Sequence, residues 1–136
     1  MMMDQLFDHA ASSNGIIVRV SASYLPEQSQ VSEGRWFWAY HIRIENVGDE
    51  PAQLISRHWR ITDALGRVSL IDGDGVVGEQ PLLQPGQSHD YVSGCPLETS
   101  CGSMEGHYTF RRADGSLFEA AIPFFPLEAP ATARGN

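Results

Sequence analysis

The run Trp36-Phe37-Trp38-Ala39-Tyr40-His41-Ile42-Arg43-Ile44-Glu45 constrains this chain more than any other stretch of it. Trp36, Trp38, Tyr40, Ile42 and Ile44 occupy alternate positions, and Ala39, His41, Arg43 and Glu45 fill the positions between them. A period of two places the first set on one face of a β-strand and the second on the other. The bulky face needs a second layer to cover it, so Trp36, Trp38, Tyr40 and Trp59 are read as core residues.

The flanking sequence repeats the theme. Gly15 opens the β-branched run Ile16–Tyr24, and Pro26 closes it. Asn46-Val47-Gly48-Asp49-Glu50-Pro51 is a turn, followed by a strand from Ala52 to Thr62 that is expected to form a hairpin with the preceding one. In that strand Ile55, Trp59 and Ile61 share a parity with Arg57, so either a β-bulge shifts the phase or Arg57 reaches an edge. Asp114-Gly115 lies between His107–Arg112 and Ser116–Ile122, a second hairpin signal. No stretch of ten residues holds a capped helical pattern, and seven or so short strands with regular turns make an all-β, two-sheet antiparallel β-sandwich. Residues 14–128 form the one expected domain, between flexible tails at 1–13 and 129–136.

Charge narrows the partners. There are 17 acidic residues against 9 basic ones, all nine of them arginine, for a net charge of −8. Phosphate backbones and anionic lipid surfaces are held by clustered positive charge, so neither nucleic acid nor membrane is an expected partner. Without lysine, neither a P-loop nor Schiff-base chemistry is available. Cys95 and Cys101 are too few for a disulfide framework and are read as two separate reduced thiols in a cytoplasmic protein. No segment reaches the roughly 20 apolar residues needed to span a bilayer.

Ser56-Arg57-His58-Trp59-Arg60-Ile61-Thr62-Asp63-Ala64-Leu65-Gly66 resembles the third-strand signature of the ApaG domain. Gly73–Gly86 resembles that family's glycine-rich segment nearly position for position, and Tyr91-Val92-Ser93-Gly94 and Gly102–Tyr108 extend the resemblance, which runs from Ile16 to Leu127. The resemblance implies a sandwich of the fibronectin type III/immunoglobulin kind. It also implies a domain that stands alone in bacteria and is appended to eukaryotic F-box and polymerase-interacting proteins as a protein-interaction module. Bacterial members carry a cobalt/magnesium efflux label; with no membrane span, the chain could affect transport only indirectly. The residues before Gly15 and Cys101 depart from the family pattern.

Gly73-x-Gly75-x-x-Gly78 has the spacing of a phosphate loop, yet Pro81 and Pro85-Gly86 forbid the helix that such a loop must open, and Asp72, Asp74 and Glu79 would repel phosphate. The glycines are expected to shape tight turns. Asp72-x-Asp74 begins like a calcium loop, but Val76 and Val77 stand where a ligand and the required glycine belong. Ser88, His89 and Asp90 are strand neighbours on opposite faces and make no triad, and the five histidines lack metal-ligand spacing. The expectation is therefore a protein with no catalytic residue, metal ligand set or cofactor, acting as a non-enzymatic protein-binding module. Its face would be Gly73, Gly75, Gly78, Glu79 and Gln80 with Arg57 and His58. The alternative is a small-ligand sensor taking a nucleotide, pyrophosphate or divalent metal at the same loop.

Overall fold

The computed structural model describes residues 6–134. Its strands are β1 (His9–Ser13), β2 (Ile16–Tyr24), β3 (Trp36–Asn46), β4 (Ala52–Asp63), β5 (Val68–Asp74), β6 (Leu82–Leu83), β7 (Ser88–Leu97), β8 (Cys101–Arg112) and β9 (Leu117–Glu128). One antiparallel sheet has the order β1-β2-β3-β7; the other has the order β5-β4-β8-β9, with β6 also paired to β4. This is the expected two-sheet sandwich.

The alternation in β3 is realised over its full length. Trp36, Trp38, Tyr40, Ile42 and Ile44 are buried, as are Ile16, Val18 and Val20 of β2. They pack against Leu54, Trp59, Met104, Tyr108, Phe110, Ile122 and Phe125 of the facing sheet. At ~25 cal/mol per Å² of apolar surface removed from water, this double layer is the main stabilising term.

Two expectations are corrected. β3 and β4 do not form a hairpin, because they belong to different sheets. Their apolar faces look at each other across the core, so the chain between them must change layer. Buried Asn46 holds that crossing: its Nδ2 donates to the carbonyls of Glu50 and Leu83, and its Oδ1 accepts from the Gly48 amide.

The second correction concerns the ends. His9–Ser13, expected in a tail, is strand β1, paired with β2 from His9↔Val20 to Ser13↔Ile16, and Phe7 before it is buried. At the other end Ala129 is buried, Ala131–Ala133 forms a 3₁₀ turn, and Trp36 Nε1 donates to the Ala133 carbonyl. The rest of the expected tails, residues 1–5 and 135–136, lies outside the described residues. The Asp114-Gly115 hairpin forms as expected, joining β8 to β9 with Arg111↔Leu117 as the last pair and Arg112 N donating to Ser116 O.

Candidate functional site: the open side of the sandwich

The strand orders leave β5 and β7 as edges on the same side of the molecule. β4 carries a register shift between Leu54 and Ser56, so inward positions are even before it and odd after it. The shift sends Arg57, Trp59 and Ile61 inward, beside Gly73, Ile71 and Ser69 of β5 and beside Tyr108, Gly106 and Met104 of β8. Both ways of accommodating Arg57 are thus used: a bulge changes the phase, and the side chain reaches toward the edge strand.

Arg57 lies folded over Gly73. A Cβ at Gly73 would stand 2.6 Å from Arg57 Nη2, so only glycine leaves room for the guanidinium there. Arg57 Nη1 donates to the carbonyls of Asp74 and Gly75, at 2.9 and 2.8 Å.

The glycine-rich segment fills the gap that the bulge opens in the sheet edge. The Ile55 carbonyl accepts from the Gly75 amide at 2.8 Å and from Gln80 Nε2 at 2.9 Å, and Leu54 N donates to Pro81 O. Between these anchors Val76 and Glu79 close a tight turn through Val76 N to Glu79 O (2.8 Å) and Glu79 N to Val76 O (3.0 Å). Its two central residues have positive φ, 48° at Val77 and 79° at Gly78, as in a type I′ turn. For β-branched Val77 this is a strained conformation, and its side chain is 63% exposed at the tip. Gly75 combines φ +61° with a Cβ position only 2.2 Å from Glu79 O, so no other residue fits. A phosphate loop needs free amides; those of Gly75, Val76 and Glu79 are already spent inside the protein.

The expected face therefore divides. Arg57, Gly73 and Gly75 meet behind β5, Gly78 and Glu79 are in the turn, Gln80 pins that turn to the bulge, and His58 points to the outer face of the sheet. There His58 Nδ1 stands 2.6 Å from Asp72 Oδ1, and its ring stacks on His107 at 5.0 Å between centroids, with His107 Nε2 3.4 Å from Glu119 Oε2. Among the described residues no group of three or more His, Cys, Asp or Glu could hold a metal ion. Asp90 is engaged by Arg43 and lies 3.4 Å from His41, while His89 turns inward, so Ser88, His89 and Asp90 form no triad.

What sequence reasoning missed is the lateral cleft between the two edges. About 330 Å³ in volume, it is lined by Tyr40, Arg57, Trp59 and Ile71 on one part of its wall and by Ser93, Cys95 and Leu97 on another. The hydroxyls of Tyr91 on β7 and Tyr108 on β8 hydrogen-bond across the two sheets. Burial pushes the hydroxyls of Tyr40, Tyr91 and Tyr108 up, against the pull of the nearby Arg57 guanidinium, so all three are neutral. Burial also pushes the Cys95 thiol up to about 11, which keeps it protonated and a poor nucleophile at neutral pH. Cys101 is likewise free, and no disulfide joins the two.

A family model described as the ApaG domain matches residues 26–112, from the 3₁₀ turn Pro26–Gln28 to the end of β8. The chain belongs to the ApaG family. Protein ApaG of Mesorhizobium japonicum is 50% identical over 126 residues, covering 93% of this chain and 97% of the relative. Protein ApaG of Rhodospirillum centenum is 52% identical over 118 residues, covering 87% and 91%. A crystal structure of an ApaA protein from Bordetella pertussis superposes with a TM-score of 0.82 at 48% identity, over 85% of this chain and 94% of that one. Both relatives match more of the chain than the family model does. Among the described residues no helix is long and apolar enough to cross a membrane.

Proposed function

We propose that this ApaG-family chain is a non-enzymatic protein-interaction module whose partner adds an extended segment to the free edge of β5. The observation that carries this reading is the make-up of that edge. Val68, Leu70 and Ile71 are 45%, 62% and 44% exposed on a strand with no neighbour on its outer side among the described residues, and exposed Val77 follows at the tip of the next turn. Natural proteins usually shield such an edge with charge, proline or a covering loop, and an apolar edge left open is a template for strand addition. Asp72 and Asp74 share the strand in a chain of net charge −8, so the incoming segment is apolar with basic flanks.

Placing a photo-crosslinking residue at Leu70 and, as a control, at equally exposed Leu117 of β9 tests this in cells. The reading expects a discrete heterologous adduct from position 70 only, mapping to an extended basic-apolar segment and lost when Ile71→Lys is added. Adducts of the same kind from both positions, or adducts only with a second copy of this chain, would overturn it.

A further inference from the structure

We propose that the lateral cleft is a binding site for a small organic carboxylate with a compact apolar body, held by Arg57. This proposal does not depend on strand addition at the outer edge of β5, although Ile71 belongs both to that edge and to the cleft wall. Arg57 is half-buried, and among the described residues no carboxylate lies within ion-pairing distance of it, in a chain that carries 17 acidic residues. The arginines that do sit on carboxylates, Arg19, Arg35, Arg43 and Arg67, are on outer faces and turns. Withdrawing a cation from water without a counter-charge is unfavourable, and a bound anion removes that penalty.

The donor count agrees. A guanidinium has five N–H groups. Nη1 spends its two on Asp74 O and Gly75 O, and Nε and Nη2 supply three more with no acceptor among the described residues. Those two backbone bonds fix the fork in place at the cleft wall. A planar fork fits a carboxylate with two parallel hydrogen bonds, where a rounder anion gains less. The neutral Tyr40 hydroxyl, next to Ser93, adds a donor on the facing sheet. Beyond the charged end the wall is Trp59, Ile61, Ile71 and Leu97, apolar and open to solvent at the β5 edge. A cleft of about 330 Å³ lies at the small end of ligand sites and admits a body of about one aromatic ring.

The test is a heteronuclear NMR titration of the full chain with phenylacetate, its neutral isostere phenylacetamide, and inorganic phosphate as a bare anion. Saturable shifts at the Trp59 indole, Ile71 methyls and Ser93 and Cys95 amides are expected with phenylacetate, at least tenfold weaker with the amide and with phosphate. Arg57→Gln should abolish them; because Arg57 also braces the turn, Ile71→Glu is the second variant, leaving Arg57 in place while lining the mouth with like charge, and it should weaken phenylacetate at least tenfold. Equal binding of acid and amide, or unchanged binding in Ile71→Glu, or no saturable shift, would overturn the proposal.

Discussion

Where β9 meets β1 and β2, the ends of the two sheets are tied together: Ala121 N donates to Ser13 Oγ at 2.9 Å, Asn14 Nδ2 donates to the Glu119 carbonyl at 2.9 Å, and the His9 ring lies 6.4 Å from that of Phe125. Where β5 faces β7, the sheets part around a cleft, and six of the seven β5 residues are exposed. Both sides end a sheet, but one side spends its edge groups on the fold and the other keeps them for something else. Cost and availability are therefore traded across the molecule: the closed side should be sensitive to stability mutations, the open side to binding mutations.

The bluntest way to break that contrast is to truncate one side chain on each side. Phe125 of β9 is fully buried and touches the rings of Tyr40 and Trp59, so Phe125→Ala should cost ~3–5 kcal/mol, mostly as lost transfer energy and cavity. At roughly 3 °C per kcal/mol for a domain of this size, the melting temperature should fall by about 10–15 °C. Ile71→Ala, already 44% exposed, should cost under ~1 kcal/mol. Equal losses by calorimetry would mean that the two sides are not different in kind.

Deleting residues 1–13 comes next. If the closed side depends on β1, removing it withdraws buried Phe7, worth ~1.5–3 kcal/mol by itself, and uncovers the β9 edge at Ala121. Melting should drop by several degrees, and light scattering should show association that grows with concentration. A deletion variant that melts like the full chain and stays monomeric would instead make these residues the tail that their composition suggests.

That prediction marks where the sequence could be read and where it could not. The sandwich, the core strand β3 and the β8–β9 hairpin follow from period-two patterning and turn chemistry, which are local. β1 escaped because His9-Ala10-Ala11-Ser12-Ser13 has no apolar alternation; it is a strand only because β2 offers it an edge. The β3–β4 hairpin failed because a turn signal says that the chain bends, not whether it bends within a sheet or across the core. The site was legible in part: Arg57 was visible as an anomaly of parity, and its glycine neighbours as a spacing. That the guanidinium lies over Gly73, and that Tyr40 and Cys95 complete its cleft from the other sheet, depends on long-range pairings such as Arg57↔Gly73 and Tyr40↔Ser93 that no single-sequence pattern encodes.

A finer probe separates two glycines of the open side. Gly75→Ala places a Cβ against the Glu79 carbonyl at positive φ and should cost at least ~2 kcal/mol. Gly78→Ala also sits at positive φ but meets nothing within 4 Å, so about 1 kcal/mol is expected. If chemical denaturation ranked them equally, the turn would be soft enough to move as a unit, and the exposed Val77 tip would not be held in its strained form.

The smallest effect tests what steadies the free edge. Burial pulls the Asp63 carboxyl up, but hydrogen bonds from the Arg67 backbone and side chain and from the Leu65 amide outweigh it and hold the group below the usual carboxylate range. These bonds close the turn that leads into β5. A carboxyl with a depressed folded pKa adds stability above its unfolded pKa and loses it as the pH falls through the folded one. Wild type should therefore resist urea better than Asp63→Asn at pH 6, and the difference should close on acidification below the ordinary carboxylate range. If the gap were constant with pH, the charge would play no part, and the neutral amide's lost geometry alone would account for it. If there were no gap at all, β5 would be held by its pairing with β4 and not by its turn, and the open edge would be stiffer than its exposure implies.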